Sequence, residues 1–553
     1  MTLHLKRWLY LVHRWLGIAL CVVMAAWFLS GMVMLYVGYP KLTAEERLAA
    51  LPPLPAGDGA DGRACCVPLP QTRAAAAAAL AERAAQAAGR GASAPPQRPR
   101  PAADSWRLTS VAGEPRYVFG EDSRQPIAVD ARSGAPVAAV PADEAVAAAR
   151  HFAGGAPGRW LAHVQEDAWT HSRALDGHRP LHLVAVDDAE RRWLYISSRT
   201  GEVVRDATRT ERTWGWVGAW LHWLYLFRGN VFNPWWTDIV IWLSIAGCVS
   251  VLSGLVVGLW RWRFRGTYRS GRRTPYAEPM ARWHHWLGLG GGVLAFTWVL
   301  SGLLSMNPWK VFDAPGPKPD RAAYAGGALQ ADHAPDPTRL LTALAAQGLA
   351  VRELTWHRVH GEHLALAHGA GRPRLVGADG LPRDALDPAI WQAAATRLLP
   401  GARVIRQERL DAYDAHYYAR EPHTMTGHRD RPLPAWRLHF DDAQATQVVI
   451  DPHTGLIVQL SDGHRRVDRW LFNFLHSFDL PALLAARPAW DAWMLGFNLA
   501  GLGLAGTAVV TGTRRLLRPW RRRRPAAPAA TENLPQRAPA TPARPASALE
   551  RNL

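Results

Sequence analysis

The stretch ARWHHWLGLGGGVLAFTWVLSGLLSM, residues 281–306, decides the fold. It is apolar over the ~20 residues that a helix needs to cross a bilayer core. It opens on Arg282, His284 and His285, and it has an earlier counterpart. Laid without a gap on His13-Arg14-Trp15-Leu16-Gly17, it places His284 on His13, Trp286 on Trp15 and Gly288 on Gly17. Further along, Trp298 falls on Trp27, and Ser301-Gly302 falls on Ser30-Gly31. The chain therefore reads as holding one membrane helix twice. Each copy has a histidine at its start and a glycine one turn later.

A neutral imidazole is a good ligand for haem iron, whose properties follow its axial ligands and burial. A glycine at i+4 shares a helix face with the histidine. Gly17 and Gly288 would then leave room for a flat porphyrin beside His13 and His284. The alternative is a histidine at the headgroup level with glycines for helix packing. Recurrence in the same register favours ligation.

The rest of the chain fits a membrane protein. Its net charge of +18 is concentrated at the ends of apolar stretches and in the Arg-rich run 514–524. That is the footprint of membrane topology rather than of nucleic-acid binding, and no nucleic-acid partner is expected. The 27 tryptophans agree, because indole rings favour the membrane interface. The four cysteines, Cys21, Cys65, Cys66 and Cys248, have no Cys-x-x-Cys or zinc spacing, so neither a disulfide scaffold nor an iron–sulfur cluster is supported. The apolar N-terminal stretch is too long for a signal h-region and no A-x-A site follows it, so it reads as a retained span.

In order, the division is a first span over 1–38 and an Ala/Pro-rich insert and linker over 39–105. Within the insert, 71–88 has helical character and 95–101 is Pro-rich linker. A first soluble domain follows over 106–213, an interfacial helix over 214–233 and a second span over 234–260. A basic loop covers 261–280 and the third span 281–307. The second half repeats these parts: a soluble domain over 308–468, an interfacial helix over 469–486, a span over 487–513 and a basic, disordered tail over 514–553. Strands are predicted at 116–119, 127–130, 181–186, 193–196 and 203–204, with a helix over 143–152. In the second domain a hairpin joins 354–357 to 364–367, and late strands fall at 436–440 and 447–450.

The fold class is thus an α-helical membrane protein with four transmembrane helices in two parallel repeats, plus two α+β domains. The distribution of arginine puts both termini in the cytoplasm and both soluble domains outside. The second members of each repeat also align without a gap, from His222 to Gly258 and from His476 to Gly512. Such a parallel repeat implies a pseudo-two-fold axis along the membrane normal. The axis would bring His13 to His284 near one face and His222 to His476 near the other. Two bis-histidine haems follow, with iron held by His13, His222, His284 and His476. His285 aligns with Arg14 and ranks below His284. Two haems across a bilayer suit electron transfer, and the span cores lack the Asp, Glu, Lys or Arg that ion transporters need.

Several motifs carry a family resemblance. The HRWLG and HHWLG openings, the turns at Thr200-Gly201 and Thr454-Gly455, FLHSFD at 474–479 and RPAWD at 487–491 together resemble the PepSY-associated transmembrane family. The resemblance implies PepSY-type periplasmic domains, haem b at two per chain, and a place in the bacterial inner membrane. It also implies kinship with iron-uptake-linked reductases of ferric siderophores. The expected partners are the lipid bilayer, a cytoplasmic or quinone electron donor and a ferric siderophore acceptor. The competing possibility is a scaffold or sensor without a redox centre, whose soluble domains bind a peptide or siderophore.

Two further clusters remain. His357, His360, His363 and His368 are close in sequence, but strand alternation would scatter them over two faces. Residues 411–428, with Asp414, His416, Tyr417, Tyr418, His423 and His428, form a polar, aromatic stretch suited either to an acceptor site or to a solvated loop.

Overall fold

A computed structural model describes residues 3–56, 65–89, 105–120 and 125–522. The Pro-rich piece at 95–101 and the tail beyond 522 lie outside the described residues.

Among the described residues four helices are long and apolar enough to cross a membrane. They are Leu3–Met34, Trp236–Arg261, Pro279–Ser305 and Arg487–Arg522, called here the first to fourth spans. The fourth continues as a helix well past the expected end at 513. The first span packs on the second and fourth, and the third does the same, so the first and third occupy opposite corners of a four-helix bundle. Glycine sets the close approaches. A Cβ on Gly247 would meet Val299 Cγ1 at 3.0 Å, and one on Gly501 would run into the Phe28 ring. Small residues at such crossings let backbones and bulky side chains interlock where water supplies no driving force.

Among the described residues the extramembrane part contains three antiparallel sheets. Strands β1 (Trp106–Val111), β2 (Glu114–Phe119) and β3 (Ile127–Asp130) precede β4 (Gly158–Val164), β5 (Leu181–Val186), β6 (Trp193–Ser197) and β7 (Val203–Ala207). The second half supplies β8 (Glu353–Val359), β9 (Glu362–His368), β10 (Arg374–Val376) and β11 (Pro382–Arg383). It then adds β12 (Val404–Leu410), β13 (Ala435–Phe440), β14 (Gln447–Ile450) and β15 (Ile457–Ser461). Strands β4 to β7 form one sheet in sequence order and β12 to β15 another. The third has the order β11-β10-β9-β8-β1-β2-β3. Its seam is β1 on β8, with Trp106 opposite Trp356 and Leu108 opposite Leu354. Strands from both halves of the chain therefore share one sheet, which the sequence does not reveal.

Helices Leu69–Gly89 and Pro337–Ala346 cover one face of this sheet. Leu69, Ala76, Leu340 and Leu344 meet Tyr117, Ile127 and Trp356 there. The insert is thus part of a core rather than only a linker. Cys65 and Cys66 sit in the same core, buried, and are joined to each other. This disulfide was not expected from the sequence; between adjacent residues it closes almost no loop and constrains little of the unfolded chain.

Charge is buried across the seam. Glu353 Oε2 receives Arg47, and Arg107 reaches Glu202 at 2.9 Å and Glu353 at 3.5 Å. Burial pushes the Glu353 carboxyl up, but Arg107 and Arg47 outweigh it and hold it at about 2. The pairing therefore stabilises fully above the ordinary carboxylate range and is lost as pH falls through about 2. Glu353→Gln should lower stability at neutral pH by about 3 kcal/mol, the cost of stranding buried arginine. The gap to wild type should narrow as pH falls below the ordinary carboxylate range, read as thermal unfolding in detergent between pH 7 and 3.

Candidate functional site

Each half enters its second or fourth span through an irregular helical segment. Trp216–Trp220 and Arg469–Phe474 are π-helical, a form frequent at functional sites. Each leads to a histidine, His222 or His476, and then to a left-handed residue, Leu224 at φ 53° or Phe478 at φ 48°. Neither is glycine, so the turn is held against its backbone preference by its surroundings. Tryptophan indoles supply part of that hold. Trp236 Nε1 donates to Trp223 O at 2.8 Å, and Trp490 Nε1 donates to Ser477 O at 3.0 Å.

The structure brings the four sequence-singled histidines together as two pairs. His13 faces His284 with ring centroids 6.1 Å apart, and His222 faces His476 at the same 6.1 Å. The two pairs sit at opposite ends of the bundle. His13 and Ser30, which contacts His222, are separated along one helix by about 25 Å at ~1.5 Å per residue.

Every imidazole is oriented through Nδ1. His13 Nδ1 donates to Ser250 O at 3.0 Å, and His284 Nδ1 lies 3.3 Å from Leu504 O and 3.2 Å from Thr507 Oγ1. His222 Nδ1 is 3.0 Å from Ser30 Oγ, and His476 Nδ1 is 3.0 Å from Ser301 Oγ. The hydroxyl protons are already committed. Ser30 donates to Trp27 O at 3.1 Å, Ser301 to Trp298 O at 2.9 Å and Thr507 to Leu504 O at 2.7 Å. Each hydroxyl must therefore accept, which places the imidazole proton on Nδ1 and leaves the Nε2 lone pair free. Burial, with His476 as a second cause, pushes His222 down to about 3, and burial pushes His476 down to about 4, so both are neutral.

These residues fit a metalloporphyrin. Two metal–imidazole bonds of about 2 Å, with each nitrogen roughly 1 Å from its ring centre, put the centroids about 6 Å apart. A histidine that ligates through one nitrogen and donates from the other is the usual arrangement at metal sites. Gly17 and Gly288 are not forced by protein packing: an added Cβ would find only Ser250 Oγ at 4.0 Å or Leu504 Cδ1 at 3.7 Å. Gly31 and Gly302 lie beside the other pair: an added Cβ would sit 3.3 Å from Asn498 Oδ1 and 3.8 Å from His222 Cε1 at Gly31, and 4.0 Å from His476 Cε1 at Gly302. Ser30, Ser301 and Thr507, which hold the imidazoles, are not recognisable in that role from the sequence. The repeated Ser-Gly marks the first two without assigning the role.

His285 has a different task. Its Nδ1 meets Thr274 Oγ1 at 2.8 Å, which ties the basic loop to the bundle, and its Nε2 meets Gly258 O at 2.9 Å, which ties the third span to the second. The hairpin histidines are likewise engaged separately, His357 with Thr454 O, His363 with the Gln330 amide and His368 with Thr355. Among the described residues no group of three or more His, Cys, Asp or Glu could hold a metal ion.

Residues 411–428 are packed rather than solvated over much of their length. Tyr417 is fully buried, Tyr418 OH donates to Asp479, and His423 Nε2 donates to Leu35 O at 2.9 Å. His423 and His428 line an open cavity of about 940 Å³ whose floor is His222 and His476.

The chain thus builds a four-helix membrane bundle with a facing histidine pair at each end and a β-rich body above one of them. It belongs to the family defined by the PepSY-associated TM region, whose model matches residues 10–399. A search of the curated proteins finds no match.

Proposed function

We propose that this membrane protein is a haem-containing oxidoreductase of the bacterial inner membrane. It would pass electrons from the cytoplasmic side to a periplasmic acceptor, a ferric siderophore, and so serve iron uptake. The two 6.1 Å histidine pairs with free Nε2 atoms carry this reading. His13 and His284 would hold one haem b, and His222 and His476 the other. Bound there, the group supplies one-electron chemistry at a potential set by its imidazole ligands and burial. The chain's own contribution is orientation. Ser30, Ser301, Thr507 and two main-chain carbonyls fix the imidazole tautomers. No general acid or base is needed to deliver an electron to Fe(III), and Fe(II) is then held less tightly by hard oxygen donors.

The internal duplication supports the same reading. His13 and His284 use Ser250 O and Leu504 O, which are equivalent positions in the aligned halves. We take the two halves as parallel repeats about an axis along the membrane normal, with the β-rich body periplasmic and both flanking basic segments cytoplasmic.

The visible spectrum of protein purified from haem-replete cells tests the proposal. Reduced b-type bands with a haem-to-chain ratio near two are expected. Colourless protein would instead favour a scaffold or sensor.

A further inference from the structure

The cavity above His222 and His476 holds more than a floor. Its volume, about 940 Å³, is at the upper end of the range for small-molecule and cofactor sites. Its lower walls are apolar, with Trp27, Met34, Trp236 and Met494. Its upper walls are charged and unbalanced. Among the described residues Lys41, Arg47, Arg107, Arg205 and Arg420 line it, and the acids that line it are Glu202 and Asp479. Three of the cations are paired within the protein: Arg47 and Arg107 with Glu353, and Arg420 with Asp479 at 3.1 Å.

The other two are not. Lys41 Nζ donates to Thr424 O, and Arg205 donates to Pro40 O and, at 3.3 Å, to Trp169 O. Among the described residues neither has a carboxylate within ion-pair distance. Arg205 is buried, and its Nε has no hydrogen-bond partner. The acids whose charge reaches them, Glu46 and Glu211 at Lys41 and Asp206 at Arg205, do not line the cavity, and Glu46 and Glu211 close helix caps on Thr43 and Thr208. Burial pushes Lys41 down to about 8, which still leaves it mostly charged at neutral pH. A concave site with walls of one sign concentrates counter-ions and raises the rate of their capture.

We propose that the outer half of this cavity binds an anionic Fe(III) chelate, with carboxylate or catecholate donors, in preference to a neutral or cationic one. The inference rests on the reductase reading and narrows its acceptor by charge. Haem propionates are also carboxylates and are the other source of the anions these cations would meet. The experiment separates the two sources.

Redox-silent gallium(III) citrate is titrated into the purified, haem-loaded protein in detergent and followed by calorimetry. Gallium(III) held by a cationic linear trihydroxamate serves as comparison. Citrate should bind at least about tenfold tighter at low salt, and the advantage should shrink as ionic strength rises. Lys41→Gln should weaken citrate binding several-fold while leaving haem content and absorbance unchanged. Lys41 makes a single main-chain hydrogen bond, so this variant should fold; Lys41→Glu should have the larger effect in the same direction. Equal or tighter binding of the hydroxamate complex overturns the proposal. So does a Lys41→Gln protein with altered haem bands and unaltered citrate binding, which would assign the cations to propionates. A colourless protein that still binds gallium citrate sinks the reductase reading and keeps the anion site. A two-haem protein indifferent to gallium citrate does the reverse.

Discussion

On the two-haem proposal, His476→Ala is expected to yield folded protein with about half the haem of the wild type, the remaining half keeping a b-type spectrum. The substitution removes one imidazole of the outer pair and leaves His13 and His284, at the far end of the bundle, untouched. His284→Ala should produce the complementary loss. The variants are suited to the question because the two pairs share no ligand and no orienting hydroxyl: Ser301 serves His476, whereas Thr507 serves His284. Ser301→Ala should be milder. It frees the His476 tautomer without removing the ligand, so haem affinity should fall by about 10- to 100-fold, as for other groups that orient metal ligands. The measurement is haem content by pyridine haemochrome together with the reduced spectrum. Both alanine variants retaining a full complement would show that these histidines are not the ligands.

Asp479→Ala should be the most destabilising single change in the extramembrane region. The Asp479 carboxylate is almost wholly buried and meets Arg469 Nη1 at 2.9 Å and Arg420 Nη1 at 3.1 Å. Tyr418 OH donates to it as well. Deleting it leaves the buried Arg469 guanidinium without a carboxylate and Arg420 with Glu421 at 3.4 Å as its remaining ion pair, at a cost of about 3–5 kcal/mol. The damage should spread in a defined direction. Asp479 lies three residues beyond His476, and Arg420 and Tyr418 belong to the stretch that roofs the cavity. Thermal unfolding in detergent should therefore fall together with occupancy of the outer haem, while the inner haem stays. Equal loss of both haems would mean that the network supports the whole fold instead.

The membrane half of this architecture was legible because its signal is periodic and repeated. Apolar length marks the spans, and the matched positions of His13 and His284, or His222 and His476, mark which polar groups matter. The strands at β5, β6, β8, β9, β13 and β14 were legible as short runs rich in apolar residues between turn residues. What stayed hidden depends on distant partners. Strands β4 and β12 carry exposed polar residues and lack a clear alternation, so only their sheet neighbours define them. The β1–β8 seam joins residues about 250 positions apart, and no local pattern encodes it. Ser30 and Ser301 looked like small packing residues, since a hydroxyl's role appears only once the imidazole it faces is in place. Tyr418 and His423 sit in a stretch with no secondary structure, and their burial comes from Asp479 and Leu35, far along the chain.

The β1–β8 seam also constrains how the protein can be made. Strand β1 lies between the first and second spans, and β8 between the third and fourth, so both intervening segments must end up on one side of the bilayer. Until β8 is delivered there, β1 waits as an open edge with unpaired amide and carbonyl groups, the kind of surface that recruits stray strands. A ribosome or translocon that stalls between the second and third spans would leave a half-molecule whose membrane helices could insert but whose sheet could not close. Quality control acting on such an intermediate would recognise that edge.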